Sequence, residues 1–281
     1  MRNLIQDASI LLWLGFAAGC EAAPARQPEV CDAGGGQAAS VVEIGERFEL
    51  VLDTGAHLRL AGVEPVRAAG SGLAREARER LAAWLVGAEI SFRPLAEGPD
   101  RWGRQEASVF APAAPGGALI SVAGALFDAG YARVLPEPAI RACAPQWLKQ
   151  EAGARAAGRG LWADPAHAIL DAANRESFEG RGGEFVIVEG AVSGVGETRA
   201  RTYVNFGPIR TVDFAATLRR QTLTLVAAAG HRPVEFTGRR LRVRGQLDTR
   251  FGPQIEISDP AAIEFPGEAS LLPQSGPLAR R

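Results

Sequence analysis

The sequence predicts a mainly β protein with a few helices, an α+β chain organised as two small barrels in series. Three observations predict it. Short apolar runs with period-two alternation recur along both halves and are separated by Gly- and Pro-marked turns. A helical stretch interrupts the strands of each half. The length, 281 residues, has room for two modest domains. Hydrophobic residues make up 47% and charged residues 22%, the balance of a globular chain. A net charge of −1 argues against a generic electrostatic binder of nucleic acid, which would carry a large positive excess. Lys149 is the only lysine, so nearly every cation is an arginine, a fixed fork suited to bidentate partners.

Residues 1–19 read as a signal sequence. One early cation, Arg2, precedes an apolar run around Ile10, Leu11, Leu12, Trp13, Leu14 and Phe16 that is too short for a permanent membrane span. The run leads into Ala17-Ala18-Gly19-Cys20, small residues followed by a thiol, which looks like a bacterial lipobox with Cys20 as the lipidated residue. The preferred reading is a lipoprotein on the periplasmic side of a bacterial membrane, with the membrane as partner through the lipid. Ordinary secretion, with cleavage near Ala23-Pro24-Ala25, is the alternative. Residues 20–38 carry Ala, Pro, Gln and Gly and form a tether. In an oxidising compartment Cys31 and Cys143 are expected to pair; the competing reading is two unpaired buried thiols.

The first domain is expected over 39–165. Residues 41–52 are strand-like, Asp53-Thr54-Gly55-Ala56 is a hairpin turn, and 57–63 returns. A helix over 73–86 places Leu73, Ala77, Leu81, Trp84 and Leu85 on one face and Arg75, Glu76, Arg78 and Glu79 on the other, and Gly87 stops it. Strands follow at 89–95 and 106–110, then a helix from 119 and another over 145–157. Strands, helix, strands, helix, helix is the order of a five-stranded OB-type barrel with added helices.

Four motifs then fall in a fixed order: Arg59-Leu60-Ala61-Gly62, Asp100-Arg101-Trp102-Gly103-Arg104, Ala129-Gly130-Tyr131-Ala132-Arg133-Val134, and Gly158-Arg159-Gly160-Leu161-Trp162. In order and spacing they resemble the thermonuclease (SNase-like) family over nearly the whole first domain. The resemblance implies the OB-type barrel and a phosphodiester-hydrolysing site. Family nucleases use one Ca²⁺, a Glu as general base and two arginines on the phosphate. A hard cation needs carboxylate oxygens, and the developing phosphorane needs fixed positive donors. Matched position by position, Arg59 and Arg104 stand where the family holds phosphate, and Glu64 where it has a metal-binding Asp. Arg67 replaces the general base. Phe48, in Glu46-Arg47-Phe48-Glu49, replaces a second metal-binding Asp, with Glu46 or Glu49 as substitutes if the register slips by one residue.

On this count the site keeps its cations and loses most of its anions, and a Ca²⁺ held by Glu64 beside an arginine is weak. No cofactor is expected; Ca²⁺ is needed only if the site is active. Read without the resemblance, Arg59 is a solvated strand arginine and Arg104 a loop arginine paired with Asp100 or Glu106. Trp102 reads as a packing residue under its loop.

Residues 166–183 are a polar connector. The second domain, 184–265, shows strands at 184–195, 201–206, 211–218, 241–247 and 254–257, with a helix over 221–229 between the third and fourth, again the OB order. Gly190 reads as a bulge. Tyr203 and Phe206 with Arg242 and Arg244 make a candidate ligand face for single strands; the plainer reading puts the aromatics in the core and the arginines in solvent. Residues 266–281 are a disordered tail. His57, His167 and His231 are scattered and make no zinc spacing. Two functions stand: a degenerate nuclease fold acting as a binding or structural module in the envelope, with nucleic acid or an envelope protein as partner, and an active or altered phosphodiesterase. Metal dependence separates them.

Overall fold

The alternating runs of the first half close on themselves. In the computed structural model, which describes residues 31–66 and 72–267, β1 (Gln37–Ile44), β2 (Leu50–Leu52) and β3 (His57–Leu60) form an antiparallel meander. After β4 (Val63–Pro65), α1 (Gly72–Leu85) provides the crossover, and β5 (Glu89–Pro94) and β6 (Arg104–Pro112) return. β5 pairs with both β1 and β6, while β6 runs parallel to β3. The ring β1-β2-β3-β6-β5 is therefore a closed five-stranded mixed barrel with its helix between the third and fourth barrel strands, consistent with an OB-type fold. A parallel β3–β6 contact cannot be made by a hairpin and requires a long crossover. Leu50, Leu52, Leu58, Leu60, Ile90 and Val109 fill the interior, and α1 adds Ala77, Leu81 and Leu85.

The expected helix from 119 begins later. Leu119–Ser121 form a short strand, β7, along β6, and α2 (Val122–Ala129) starts where the Ser121 side chain accepts the Gly124 N–H. The motif around Tyr131 then supplies β8 (Ala132–Val134), antiparallel to β4. α3 (Ala144–Ala156) follows, and the disulfide Cys31–Cys143 fastens its N-cap residue to the start of the described chain. The expected pairing of the two thiols is thus present.

The connector expected over 166–183 has structure of its own. It carries β9 (Leu170–Asp171), parallel to β10 (Phe185–Ala191), and it buries Leu170, Ala172 and Phe178 in the second core. β11 (Gly194–Glu197), β12 (Arg201–Asn205), β13 (Ala215–Arg219), α4 (Arg220–Ala228), β14 (Arg240–Asp248), β15 (Gln254–Ile257) and β16 (Ile263–Glu264) complete this half. The sheet order is β11-β12-β13-β15-β14-β10-β9, with β13 and β15 parallel. β10 and β11 behave as one bent strand. Val192 N–H still bonds Arg239 on the β14 side, and Ser193 N–H already bonds Asn205 on β12, so the pairing passes from one end of the sheet to the other and closes it. With α4 between β13 and β14, this too is the OB order.

Gly190 does not mark a bulge. Its register with Leu241 is regular, and the missing side chain admits Ala172 and Phe206, which a Cβ would meet at 2.6 and 3.1 Å.

Both barrels lie in one compact unit, Gln27–Gln274, and they meet through buried charge. Glu151 on α3, fully buried, receives both Arg244 terminal nitrogens at 2.8 and 3.0 Å, the Val134 N–H at 2.7 Å and Arg155 at 2.9 Å. Arg244 also bonds Glu264 and the Val134 carbonyl. Burial works against the Arg244 charge, but Glu151 and Glu264 outweigh it and hold the guanidinium protonated. A second pair, Arg141–Asp259 at 2.6 Å, repeats the link with a fully buried carboxylate.

Candidate functional site

β3 and β6 run side by side in register, His57 opposite Arg104 and Arg59 opposite Glu106. Leu58 and Leu60 point into the barrel, so alternation turns His57 and Arg59 outward onto one face with Arg104 and Glu106. The two arginines predicted to hold phosphate are therefore brought together.

Both are already occupied. Arg59 Nη2 lies 2.7 Å from Glu106 and 3.0 Å from Glu137, and the other Glu137 oxygen accepts the Gly62 N–H at 2.7 Å. Arg104 bonds Glu49 through Nη1 at 3.0 Å and grips Asp100 through Nε and Nη2 at 3.0 and 2.9 Å. Asp100 also accepts the backbone N–H groups of Trp102 and Arg104. Burial opposes the Asp100 charge, but these donors prevail and hold its carboxyl down to about 2. Burial, then the neighbouring Glu137, push Glu106 up against the pull of Arg59.

The expected loss of anions concerns the family's metal-binding and general-base positions, Phe48 and Arg67; beside the arginines stand carboxylates from other positions. Four carboxylates surround two guanidinium groups; what they do is neutralise the arginines. Of these four, the sequence points to Glu49 only as a substitute metal ligand, to Asp100 and Glu106 as local partners of Arg104, and to Glu137 not at all. Glu106 in fact pairs with Arg59, across the ladder.

The remaining predicted site residues are elsewhere. Phe48 lies in the turn between β1 and β2, with φ 63°, and its ring is buried in the barrel core. It offers nothing to a ligand. Glu64 is buried on β4, opposite Arg133 of β8, and Arg133 in turn lies over the Phe185 ring at 5.1 Å. Arg67 and Cys20 lie outside the described residues, as do the signal sequence, residues 20–30 of the tether and 268–281 of the tail. Trp102 is not packed under its loop. It is 61% exposed, and the guanidinium groups of Arg101 and Arg104 lie 3.9 and 4.9 Å from its ring.

A Ca²⁺ of the kind the family resemblance implies does not fit these residues. The two positions that should ligate it are an apolar core ring and a buried carboxylate facing Arg133, while Glu49 and Asp100 are committed to Arg104. Among the described residues no group of three or more His, Cys, Asp or Glu side chains is placed to hold a metal ion.

The ligand face expected on the second barrel also dissolves. Arg244 is buried against Glu151, and Arg242 is held by Glu189 at 2.7 Å with Glu264 beside it. Phe206 packs on Phe214 inside the core, ring centroids 5.2 Å apart. The arginines do not stand free in solvent: Arg244 is held by Glu151 of α3 and by Glu264, and Arg242 by Glu189 and Glu264. Tyr203 lines an open cavity. Compared with protein-family models and with curated protein sequences, the chain matches none.

Proposed function

We propose that this chain is a cell-envelope protein whose first barrel is of thermonuclease-like type but does not hydrolyse phosphodiesters, and that it acts as a binding or structural module. The observation that carries this reading is the double occupation of Arg59 and Arg104 by Glu106 and Glu137, and by Glu49 and Asp100. A phosphodiester entering this site would have to displace two carboxylates from each guanidinium, and those carboxylates outnumber the arginines and repel it. The general-base position carries Arg67, which is permanently charged and cannot accept a proton. The four motifs in order support the family reading. The small-residue run before Cys20 supports an exported, lipid-anchored chain. An active phosphodiesterase would need Glu49 or Asp100 released from Arg104 to bind metal.

One pair of proteins, wild type and Cys20→Ser, tests both parts. The wild type is expected in the membrane fraction, with a melting temperature that does not rise on adding millimolar Ca²⁺, since only a ligand bound by the folded state stabilises it. Cys20→Ser is expected in the soluble fraction. A Ca²⁺-dependent rise in melting temperature contradicts the non-catalytic reading, and unchanged partition of Cys20→Ser contradicts the lipid anchor.

A further inference from the structure

The second barrel carries a pocket of about 280 Å³ on the β11–β12–β13 face, close to the lower end of the size range of small-molecule sites. Two loops, 206–213 and 250–253, form its rim. These loops are locked rather than loose. Asp213 accepts the Ile209 N–H at 2.7 Å and pairs with Arg175 at 2.6 Å. Gly252 lies so close to Thr211 that a Cβ would meet its carbonyl oxygen at 2.3 Å. Thr211 itself is held at φ 66°, a costly conformation for a β-branched residue and one that persists only where its surroundings impose it.

The locked loops present surface that water does not favour. Phe251 is 76% exposed, with Ile209 and Val212 also open to solvent. Phe251 lines the pocket together with Tyr203, Asn205, Arg210 and Gln254. Two aromatic rings provide stacking surface, and two amide side chains provide paired donors and acceptors. Of the charged side chains that line the pocket, Asp213 is paired with Arg175, while Arg210 and Glu197 carry no ion pair among the described residues. Arg201, Arg219 and Arg250 on the same barrel are held by Glu256 and Asp248.

We propose that this pocket binds a nucleotide unit, its base stacked against Phe251 and Tyr203 with its edge on Asn205 and Gln254, and its phosphate beside Arg210. A planar heteroaromatic ring carrying an adjacent negative charge uses all three features at once. The proposal goes beyond the reading given above, which assigns no ligand site, and it does not depend on whether the first barrel cleaves. The unit is either a free nucleotide or one residue of a single strand.

The test is fluorescence anisotropy of the full chain with a labelled oligothymidylate of about ten nucleotides. It is run in chelator so that no cleavage intervenes, with unlabelled thymidine monophosphate as competitor. Binding is expected, and Phe251→Ala should weaken it about ten-fold or more. Arg210→Ala should weaken it and reduce the salt slope by roughly 0.7. Both variants should melt with wild type, because both side chains lie at the pocket mouth. Displacement by the monophosphate identifies a free-nucleotide site, and failure of the monophosphate to displace identifies recognition of the strand; either supports the proposal. No binding of oligonucleotide or monophosphate overturns it, and so does wild-type affinity in either variant.

Discussion

Replacing Glu151 by alanine is expected to cost about 3–5 kcal/mol of stability, the usual penalty for stranding one partner of a buried ion pair. Glu151 is fully buried and is the point at which Arg244, Arg155 and the Val134 N–H converge. Without it, Arg244, fully buried in the middle of β14, keeps only Glu264 as a charged partner. For a chain of this size the loss corresponds to a fall in melting temperature of about 10 °C. The companion variant, Glu151→Leu with Arg244→Met, removes both charges and should recover part of the loss, since the buried guanidinium is no longer stranded, while the Val134 N–H and Arg155 still lack their acceptor and Glu264 loses Arg244. Urea titrations of the three proteins check this. A loss below about 1 kcal/mol in Glu151→Ala would show that water reaches Arg244 and that the barrels are not joined through this charge.

Opening the Cys31–Cys143 bond should have an effect of similar size. The bond closes a loop of 112 residues in the unfolded chain, and on the chain-entropy account a loop of this length is worth about 4–5 kcal/mol. Cys143 is buried at the start of α3, two turns before Glu151 on the same helix. The double variant Cys31→Ser, Cys143→Ser should therefore unfold at clearly lower denaturant, and wild type should do so only when reductant is present. Equal midpoints with and without reductant would contradict a disulfide that restrains the unfolded state. Because the bond and the ion cluster share α3, combining their losses tests whether the helix couples them: a sum that is not additive locates the coupling in α3.

Much of the architecture was legible because it rests on local signals. Alternation marks the barrel strands, Gly and Pro mark their turns, and the α1 stripe of Ala77, Leu81 and Leu85 is the buried face it promised to be. The misses have physical causes. In the turn that begins at Gly45 the left-handed residue is Phe48 rather than a Gly or Asn, because burying its ring outweighs the strain. Arg242 and Arg244 alternate on β14 like solvated residues, but their face meets a helix more than 80 residues away in sequence, as the 93-residue separation of Glu151 and Arg244 shows. Glu137, 78 residues from Arg59, sits in a Pro-flanked stretch with no motif of its own. The arginines of the candidate site could be found from their strands; their saturation could not, since it depends on contacts between distant segments.

The most direct measurement is cleavage of labelled single- and double-stranded DNA and RNA by the purified protein at high concentration, with Ca²⁺ and with chelator, beside Arg104→Ala. The occupied arginines predict no cleavage that depends on Ca²⁺ and no difference between the two proteins. Ca²⁺-dependent cleavage by wild type that disappears in Arg104→Ala would contradict this, and would mean that Glu49 and Asp100 leave Arg104 to build a metal site.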